Sequence, residues 1–459
     1  MSSQTAATAR PGLCRGVRLV RDPVRDQAAL LYPEGVLLVN ETAAAMLALC
    51  DGTRTVAAVT GALMESHPDA RAQDVAALLA DLAARRLLRL DGLGHGVDRV
   101  TVAGSSGPAR EPRPVGLLAL LTYRCTPDCP YCPDRPHRAD GDRELSTSDW
   151  TRVLAEAREL GVLQVHLAGG EPLLRGDLAD LVRQTARMGM YTNLVTSGVG
   201  LDRARLAELL DAGLDHVQLS IRDRDGRTHH RGLATTAALV RAIGLPLPLD
   251  AVLPDPGADR VATVAALAAR LGADRVAIAH TQFYGWAWLN RAALMPTAGQ
   301  VREADRAAAV AAARYGDRME VAHIVADEHT GTPKACMDGW GNRQLVVAPD
   351  GDVLPCLSAR VLPEFAAPNV RDVPLARIWY DSAAFNRFRG TDWLPDPCHS
   401  CARREIDFGG CRCQAYLLTG DATATDPACV FSPLHHLMTA APPPAGARAA
   451  TPAPAPRSR

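Results

Sequence analysis

From residue 115 onward the chain repeats one pattern: a short apolar run, then a loop and a helix-like stretch. The runs are "GLLALLTY", "LQVHLAG", "YTNLVTS", "HVQLSI", "PLDAVL" and "DRVAIAH". Near-continuous apolar runs of this length are what strands buried on both faces look like, and parallel strands of that kind need crossover helices. Six such repeats predict an α/β fold with a parallel sheet, curled or open. In these folds reactive groups collect in the loops beyond the carboxyl ends of the strands. The loop after the first run reads "TYRCTPDCPYCPDRP" and the loop after the second reads "LAGGEP", so Cys125, Cys129 and Cys132 share a rim with Gly169, Gly170 and Glu171.

A chain of 459 residues has room for about three domains. Residues 13–92 read as a small α+β unit. It holds a strand "EGVLLVN", a helix "ETAAAMLALC" capped by Asn40 and stopped at Asp51-Gly52, and two further helical stretches. The polar segment "TVAGSSGPAREPRP" marks a linker over 93–114, and the barrel-like repeats occupy 115–317. Past residue 318 the alternation stops. A hairpin with an Asp-Gly turn, "QLVVAPDGDVLPC", and a second group of cysteines predict a separate cysteine-bound module over 318–438. Residues 1–12 and the Pro/Ala/Arg-rich tail 439–459 are expected to be disordered.

A net charge of -1 without basic runs argues against a nucleic-acid surface. No apolar stretch is long enough to span a membrane and no signal segment is evident, so a cytoplasmic protein is expected. Ten of the 12 cysteines lie at or after Cys125 with short spacings, which in a reducing compartment points to metal rather than disulfides. Cys14 and Cys50 stand apart and read as small buried hydrophobes.

Three thiolates can hold three irons of a four-iron cluster and leave the fourth iron open. A zinc site completed by His137 is the alternative, although zinc favours Cys-x2-Cys pairs over the spacing Cys-x3-Cys-x2-Cys. The carboxyl-terminal group comprises Cys336, Cys356, Cys398, Cys401, Cys411, Cys413 and Cys429, more than one tetrahedral site can use. Two clusters need eight ligands, and Asp407 is the natural eighth; the other readings are a solvated loop acid and two zinc sites.

The cysteine motif together with "LAGGEP" resembles the radical S-adenosylmethionine (SAM) superfamily. That resemblance implies a partial (β/α)6 TIM-like barrel and a [4Fe-4S] cluster whose open iron chelates SAM. Gly169, Gly170 and Glu171 match the segment contacting the SAM amino group. Ser197 and Ser220, with Thr196, sit at strand ends within reach of its carboxylate or ribose, or else serve as ordinary turn caps. The second cysteine group resembles the SPASM domain of peptide-modifying members. This implies two auxiliary iron-sulfur clusters, one on Cys398, Cys401, Asp407 and Cys429 and the other on Cys336, Cys356, Cys411 and Cys413. An Asp at position 407, with "TQFYGWAWLNRAALMPT", "FRGTDWLPDPC" and "LTGDATATDPAC", resembles the enzymes of pyrroloquinoline quinone (PQQ) biosynthesis. The first 92 residues resemble the winged-helix-like peptide chaperone PqqD of the same pathway.

The implied activity is a cyclase that joins a glutamate γ-carbon to a tyrosine ring of the precursor peptide PqqA, with a flavodoxin-like or other low-potential reductant as a partner. Pro133, Asp250, His280 and a shortened loop after Gly226 depart from the family pattern at the rim. Those departures keep open another SPASM-type maturase or an inactive peptide-binding scaffold. His229 and His230 as bases, and Trp286 and Trp288 as stacking surfaces, compete with solvated and packing roles.

Overall fold

The structure is a computed structural model that describes residues 8–94, 100–101, 110–125, 143–222, 230–253, 257–280 and 296–439. The amino-terminal unit is built on a sheet of order β4-β3-β2-β6, from Arg18–Asp22 (β2), Gln27–Tyr32 (β3), Gly35–Val39 (β4) and Val100–Thr101 (β6). Gly12–Leu13 (β1) pairs separately with Leu88–Arg89 (β5). Three helices, Glu41–Leu49 (α1), Val56–Ser66 (α2) and Ala72–Ala84 (α3), pack Met46, Leu47, Val59, Leu63, Val75, Leu79 and Leu82 against the sheet. The cap on α1 is the expected one, with the Asn40 side chain accepting from the Ala43 N–H at 2.8 Å.

The six apolar runs form strands Gly116–Leu120 (β7), Gln164–Ala168 (β8), Tyr191–Thr196 (β9), His216–Arg222 (β10), Pro248–Leu253 (β11) and Arg275–His280 (β12), each parallel to its neighbour. Alternate residues separate the two faces of the sheet. Leu117, Val165, Leu194, Leu219, Leu249 and Val276 lie under the crossover helices in the main core, while His166, Asn193, Gln218 and Asp250 point to the opposite, inner face. Crossover helix Thr147–Leu160 (α4) starts with a capping box on Ser146 and Asp149 and ends at the left-handed Gly161.

Three features differ from the sequence-based expectation. First, the sheet has nine strands: Glu320–Ile324 (β13) extends it in parallel beyond β12, and Gln344–Val347 (β14) of the expected hairpin pairs in parallel with β7. The carboxyl-terminal module is therefore joined to the barrel sheet and is not separate. Its hairpin partner Val353–Leu354 (β15) is antiparallel, as an Asp-Gly turn requires. Second, residues 10–12 are ordered, with the Arg10 N–H bonded to the Leu90 carbonyl at 3.0 Å. Third, the end of the expected linker is buried structure, since Trp379 Nε1 donates to the Pro112 carbonyl at 2.7 Å and Arg113 to the Val24 carbonyl. Gly- and Pro-rich composition hid these segments because they are held by their backbones rather than by apolar periodicity.

The amino-terminal unit docks on the barrel through a buried charge network. Asp22, with no exposed surface, accepts from Arg25 Nη1 at 2.7 Å and from Arg158 of α4. Arg25 also donates to the Gly161 and Pro114 carbonyls, so one carboxylate ties strand β2 to the end of α4. Arg18 pairs with Asp215 at 3.1 Å, and Tyr191 Oη donates to the Gly16 carbonyl at 2.9 Å. Asp22→Ala strands two buried guanidiniums, and we expect a loss of about 3–5 kcal/mol, read as a lowered urea midpoint for the transition that separates the two units.

Candidate functional site

Strand β7 runs directly into Thr122–Cys125, and this segment is held from two sides. Glu144 Oε1 accepts from the Thr122 hydroxyl at 2.7 Å and from the Tyr123 N–H at 2.8 Å. From the β8 side, the Gly170 N–H donates to the Thr122 carbonyl at 2.7 Å and the Glu171 N–H to the Arg124 carbonyl at 2.8 Å. The two loops run so close that a Cβ at Gly170 would lie 2.2 Å from the Arg124 oxygen and 3.0 Å from the Cys125 Cβ. Gly169 adds a φ of +121°, open only to glycine at low cost. Cys125 is thus pinned against the "GGEP" segment; Cys129, Cys132 and Pro133 lie outside the described residues.

The Glu171 side chain is fully buried. Its carboxylate accepts from the N–H groups of Leu173 at 3.2 Å and Ser197 at 2.9 Å and from the hydroxyls of Thr196 and Ser197. It therefore fastens the loop after β8 to the loop after β9, and the half-buried backbone at Gly169 and Gly170 is the part of this segment left open to a ligand. Ser197 spends its O–H on Glu171. Ser220 is half-buried on the inner face of β10, level with Asp250.

Below the rim a hydrogen-bonded row crosses the inner face. The Asn193 amide donates to His166 Nδ1 at 2.8 Å and to Gln218 Oε1 at 2.7 Å, and Gln218 Nε2 donates to Asp250. Burial pushes His166 down to about 4, keeping the ring neutral as an acceptor, and pushes the Asp250 carboxyl up. His280 is not part of this row. It lies on the helix-covered face, with Nε2 2.9 Å from His323 Nε2, and His323 Nδ1 is 2.7 Å from Asp305. Its departure from the family pattern therefore does not alter the inner face. His229, Trp286 and Trp288 lie outside the described residues, and the side chain of His230 lies outside them too.

Four of the carboxyl-terminal cysteines converge. Cys356 and Cys413 Sγ atoms are 3.6 Å apart, and Cys336, Cys356, Cys413 and Cys411 form a ring in which each thiol meets two others. Hydrogen bonds from Cys336 and Cys413 hold the Cys356 thiol down to about 5, while the two donors are pushed up. Trp340, Leu362, Phe388 and Ala422 enclose the ring in an apolar pocket. Four sulfurs packed together, with Cys413 fully buried and Cys356 nearly so, form a thiol-rich pocket of the kind that soft metals use, whether an iron-sulfur cluster or a zinc ion.

The remaining four residues form a second group near the surface. Cys398 lies in the electrostatic reach of Cys429, Asp407 and Cys401, and burial raises its thiol to about 11. Asp407 is 8% exposed, accepts from the Gly409 N–H at 3.0 Å, and has Arg403 Nε at 3.4 Å. A carboxylate and three thiols are donor types that an iron-sulfur cluster can use, although among the described residues they are not drawn into one metal-holding group.

Two residues that sequence reasoning missed organise both groups. Arg412, between Cys411 and Cys413, is buried and donates to the carbonyls of Gly409, Ala422 and Ala424. Asp426 accepts from the Cys411 N–H at 2.7 Å, from Gln414 at 3.0 Å and from the Ala428 N–H at 3.0 Å. A Cβ on Gly410 would sit 2.4 Å from the Asp426 Oδ2. The legible signal was an arginine flanked by two prospective ligands, which must be buried if both are.

Gly170→Ala displaces Cys125, and we expect 5'-deoxyadenosine formation to fall about a hundredfold, because sub-ångström placement governs such rates. Cys413→Ala opens the buried ring, and the iron bound per chain after anaerobic reconstitution should drop by roughly one cluster's worth while the radical-site signal persists in electron paramagnetic resonance.

Comparison with known proteins bears on all three regions. Residues 120–241 match the family model of the radical SAM superfamily, residues 27–88 that of coenzyme PQQ synthesis protein D (PqqD), and residues 336–402 that of the SPASM iron-sulfur cluster-binding domain. The first domain implies a [4Fe-4S] cluster that works with SAM, and the third binds auxiliary iron-sulfur clusters. The PqqA peptide cyclase of Methylocella silvestris is 48% identical over 344 residues, covering 73% of this chain and 92% of that protein. The PqqA peptide cyclase of Gluconobacter oxydans is 49% identical over 331 residues, covering 70% and 92%. Among solved structures, Streptococcus suis SuiB bound to S-adenosylmethionine superposes with a TM-score of 0.60 at 16% identity, over 91% of this chain and 99% of that one. Native anSMEcpe with AdoMet and Cp18Cys peptide gives 0.50 at 15% identity, over 71% and 95%; both show the same fold. Among the described residues no helix is long and apolar enough to cross a membrane. The chain belongs to the PqqA peptide cyclase family of radical SAM enzymes, with a PqqD domain on its amino-terminal side.

Proposed function

We propose that this enzyme forms a carbon-carbon bond between the γ-carbon of a glutamate and the ring carbon ortho to the hydroxyl of a tyrosine in the peptide PqqA. The observation that carries the reading is the pairing of a peptide-sized groove on the PqqD domain with a radical SAM barrel in one chain of cyclase sequence. The groove, of about 700 Å³, lies between the outer edge of β4 and helices α1, α2 and α3; Leu37, Val39, Met46, Leu63, Val75 and Leu78 line its apolar part. β4 is the last strand of its sheet, so an extended peptide can add to that edge and place side chains in the groove. A tethered groove keeps the peptide at a high effective concentration near the rim.

In this reading Cys125, Cys129 and Cys132 hold the radical-site cluster, and the backbone of Gly169–Glu171 faces SAM, with Ser220 on the inner wall below. When bound, the cluster and SAM supply a 5'-deoxyadenosyl radical. The glutamate γ-carbon gives up a hydrogen atom, the resulting carbon radical bonds to the tyrosine ring, and the ring regains aromaticity by losing one electron and one proton. The residues of this chain position the two side chains and keep water out. The electron leaves toward the eight-ligand carboxyl-terminal region, and a flavodoxin-like low-potential protein delivers the electron that starts each turnover.

The test is anaerobic incubation of reconstituted enzyme with SAM, reductant and a PqqA-type peptide. We expect 5'-deoxyadenosine together with a peptide lighter by two hydrogens, the loss mapping to the Glu and Tyr. Loss of carbon dioxide would instead identify a decarboxylating maturase. Peptide binding without SAM cleavage would identify a scaffold.

A further inference from the structure

The inner face of the barrel has an end opposite the rim, and in this chain the amino-terminal domain covers it. At the amino ends of the strands the inward residues are Gln164, Tyr191, His216 and Arg275. Gln164 Nε2 donates to the carbonyls of Tyr32 at 3.0 Å and Pro33 at 3.3 Å, in the turn between β3 and β4. Val20, Ala29 and Leu31 pack on Leu163 and Tyr191, with Val36 and Leu38 beside them. Gln164, Tyr191, Asn193 and His216 are consequently at most 3% exposed. Glu34, at the tip of the same turn, is exposed. Asp250 ends the hydrogen-bonded row that crosses the inner face, and Arg275 Nε is 3.3 Å from Glu320.

We propose that the amino-terminal domain is the floor of the radical barrel, closed by the β3–β4 turn on Gln164 and by Val20, Ala29 and Leu31 on Tyr191. The floor seals the cavity in which the peptide radical must meet the tyrosine ring before a small thiol donates a hydrogen atom to it. Such a leak regenerates unmodified peptide while consuming one SAM and turning the thiol into a thiyl radical. The domain that carries the peptide groove thereby also governs how faithfully SAM cleavage ends in a crosslink, a role that rests on the cyclase reading above.

The test uses the full chain with Gln164→Met, which removes the bonds to the Tyr32 and Pro33 carbonyls, and Tyr191→Phe, which removes the bond to the Gly16 carbonyl. The first readout is hydrogen-deuterium exchange at residues 163–166, 191–194 and 216–219, which needs no peptide. The second is the ratio of 5'-deoxyadenosine to crosslinked peptide in the presence of a deuterated thiol. We expect faster exchange in these segments and a ratio raised about threefold or more, with deuterium appearing in unmodified peptide, because an opened site admits side reactions. Unchanged exchange in both variants overturns the floor. Faster exchange with an unchanged ratio, or with both products falling together, overturns the part of the floor in fidelity and leaves the contact merely structural. A wild-type chain that forms no crosslink defeats the cyclase reading instead, and the exchange arm still decides the floor.

Discussion

The parallel pairing of β7 with β14 sets the relation between the radical site and the auxiliary sites. Gly116 to Ala119 lie in register with Gln344 to Val347. β7 leads within a few residues to Cys125, and β14 turns through β15 to Cys356. A slip of one residue would turn the faces of β14 over against β7, sending Leu345 and Val347 out of the main core. Because that core penalises the slip, the register is strongly specified. Two loops that share no sequence neighbourhood are thereby held at one fixed offset.

Around this frame the polar groups near the chemistry are arranged so that few are left to choose. Glu171 has its carboxylate saturated by four donors from two loops, Glu144 fixes the entry to the cysteine segment, and Asp426 fixes the backbone at Cys411. Each is an acid whose task is to hold backbone, so a rim that looks rich in catalytic carboxylates is mainly rich in fasteners. The inner row from His166 to Asp250 is different, because it is linked by side chains alone, leaves Asn193 Oδ1 buried without a partner, and ends on a carboxyl that burial biases toward the neutral form.

The sequence was most legible where one physical signal dominated. All six barrel strands announce themselves as apolar runs because both their faces are buried, and the α1 cap at Asn40 follows from local chemistry. β13 escaped because Glu320–Ile324 is only half-buried and carries no apolar run. The fusion of the hairpin to β7 could not be read from pattern, since strand pairing over more than 200 residues leaves no local trace. His280 looked like a rim residue from its place at a strand end, yet strand alternation already puts it beside Val276 and Ile278 on the helix face. Counting parity along the strand would have found this. Arg412 and Asp426 escaped because charged residues among ligands read as loop polarity until their burial is known.

The two carboxyl-terminal groups differ in a way that bears on their roles. The ring of Cys336, Cys356, Cys411 and Cys413 sits among aromatic and aliphatic side chains, with Trp340 and Phe388 crossing edge to face at 5.3 Å. The group at Cys398, Cys401, Asp407 and Cys429 lies beside Ile406, Val430 and Phe431, all exposed to solvent. Water and nearby dipoles stabilise the more highly charged state of an iron-sulfur cluster, whereas an apolar shell penalises it, so identical metals in the two places would hold electrons differently. Arg412 spans the gap from the buried side, its guanidinium 4.9 Å from the Trp393 ring and bonded to the carbonyls that shape both loops. Were clusters held at both groups, a positive charge beside each would lower the cost of adding an electron to either. The asymmetry between them must then come from burial and from the single carboxylate at Asp407.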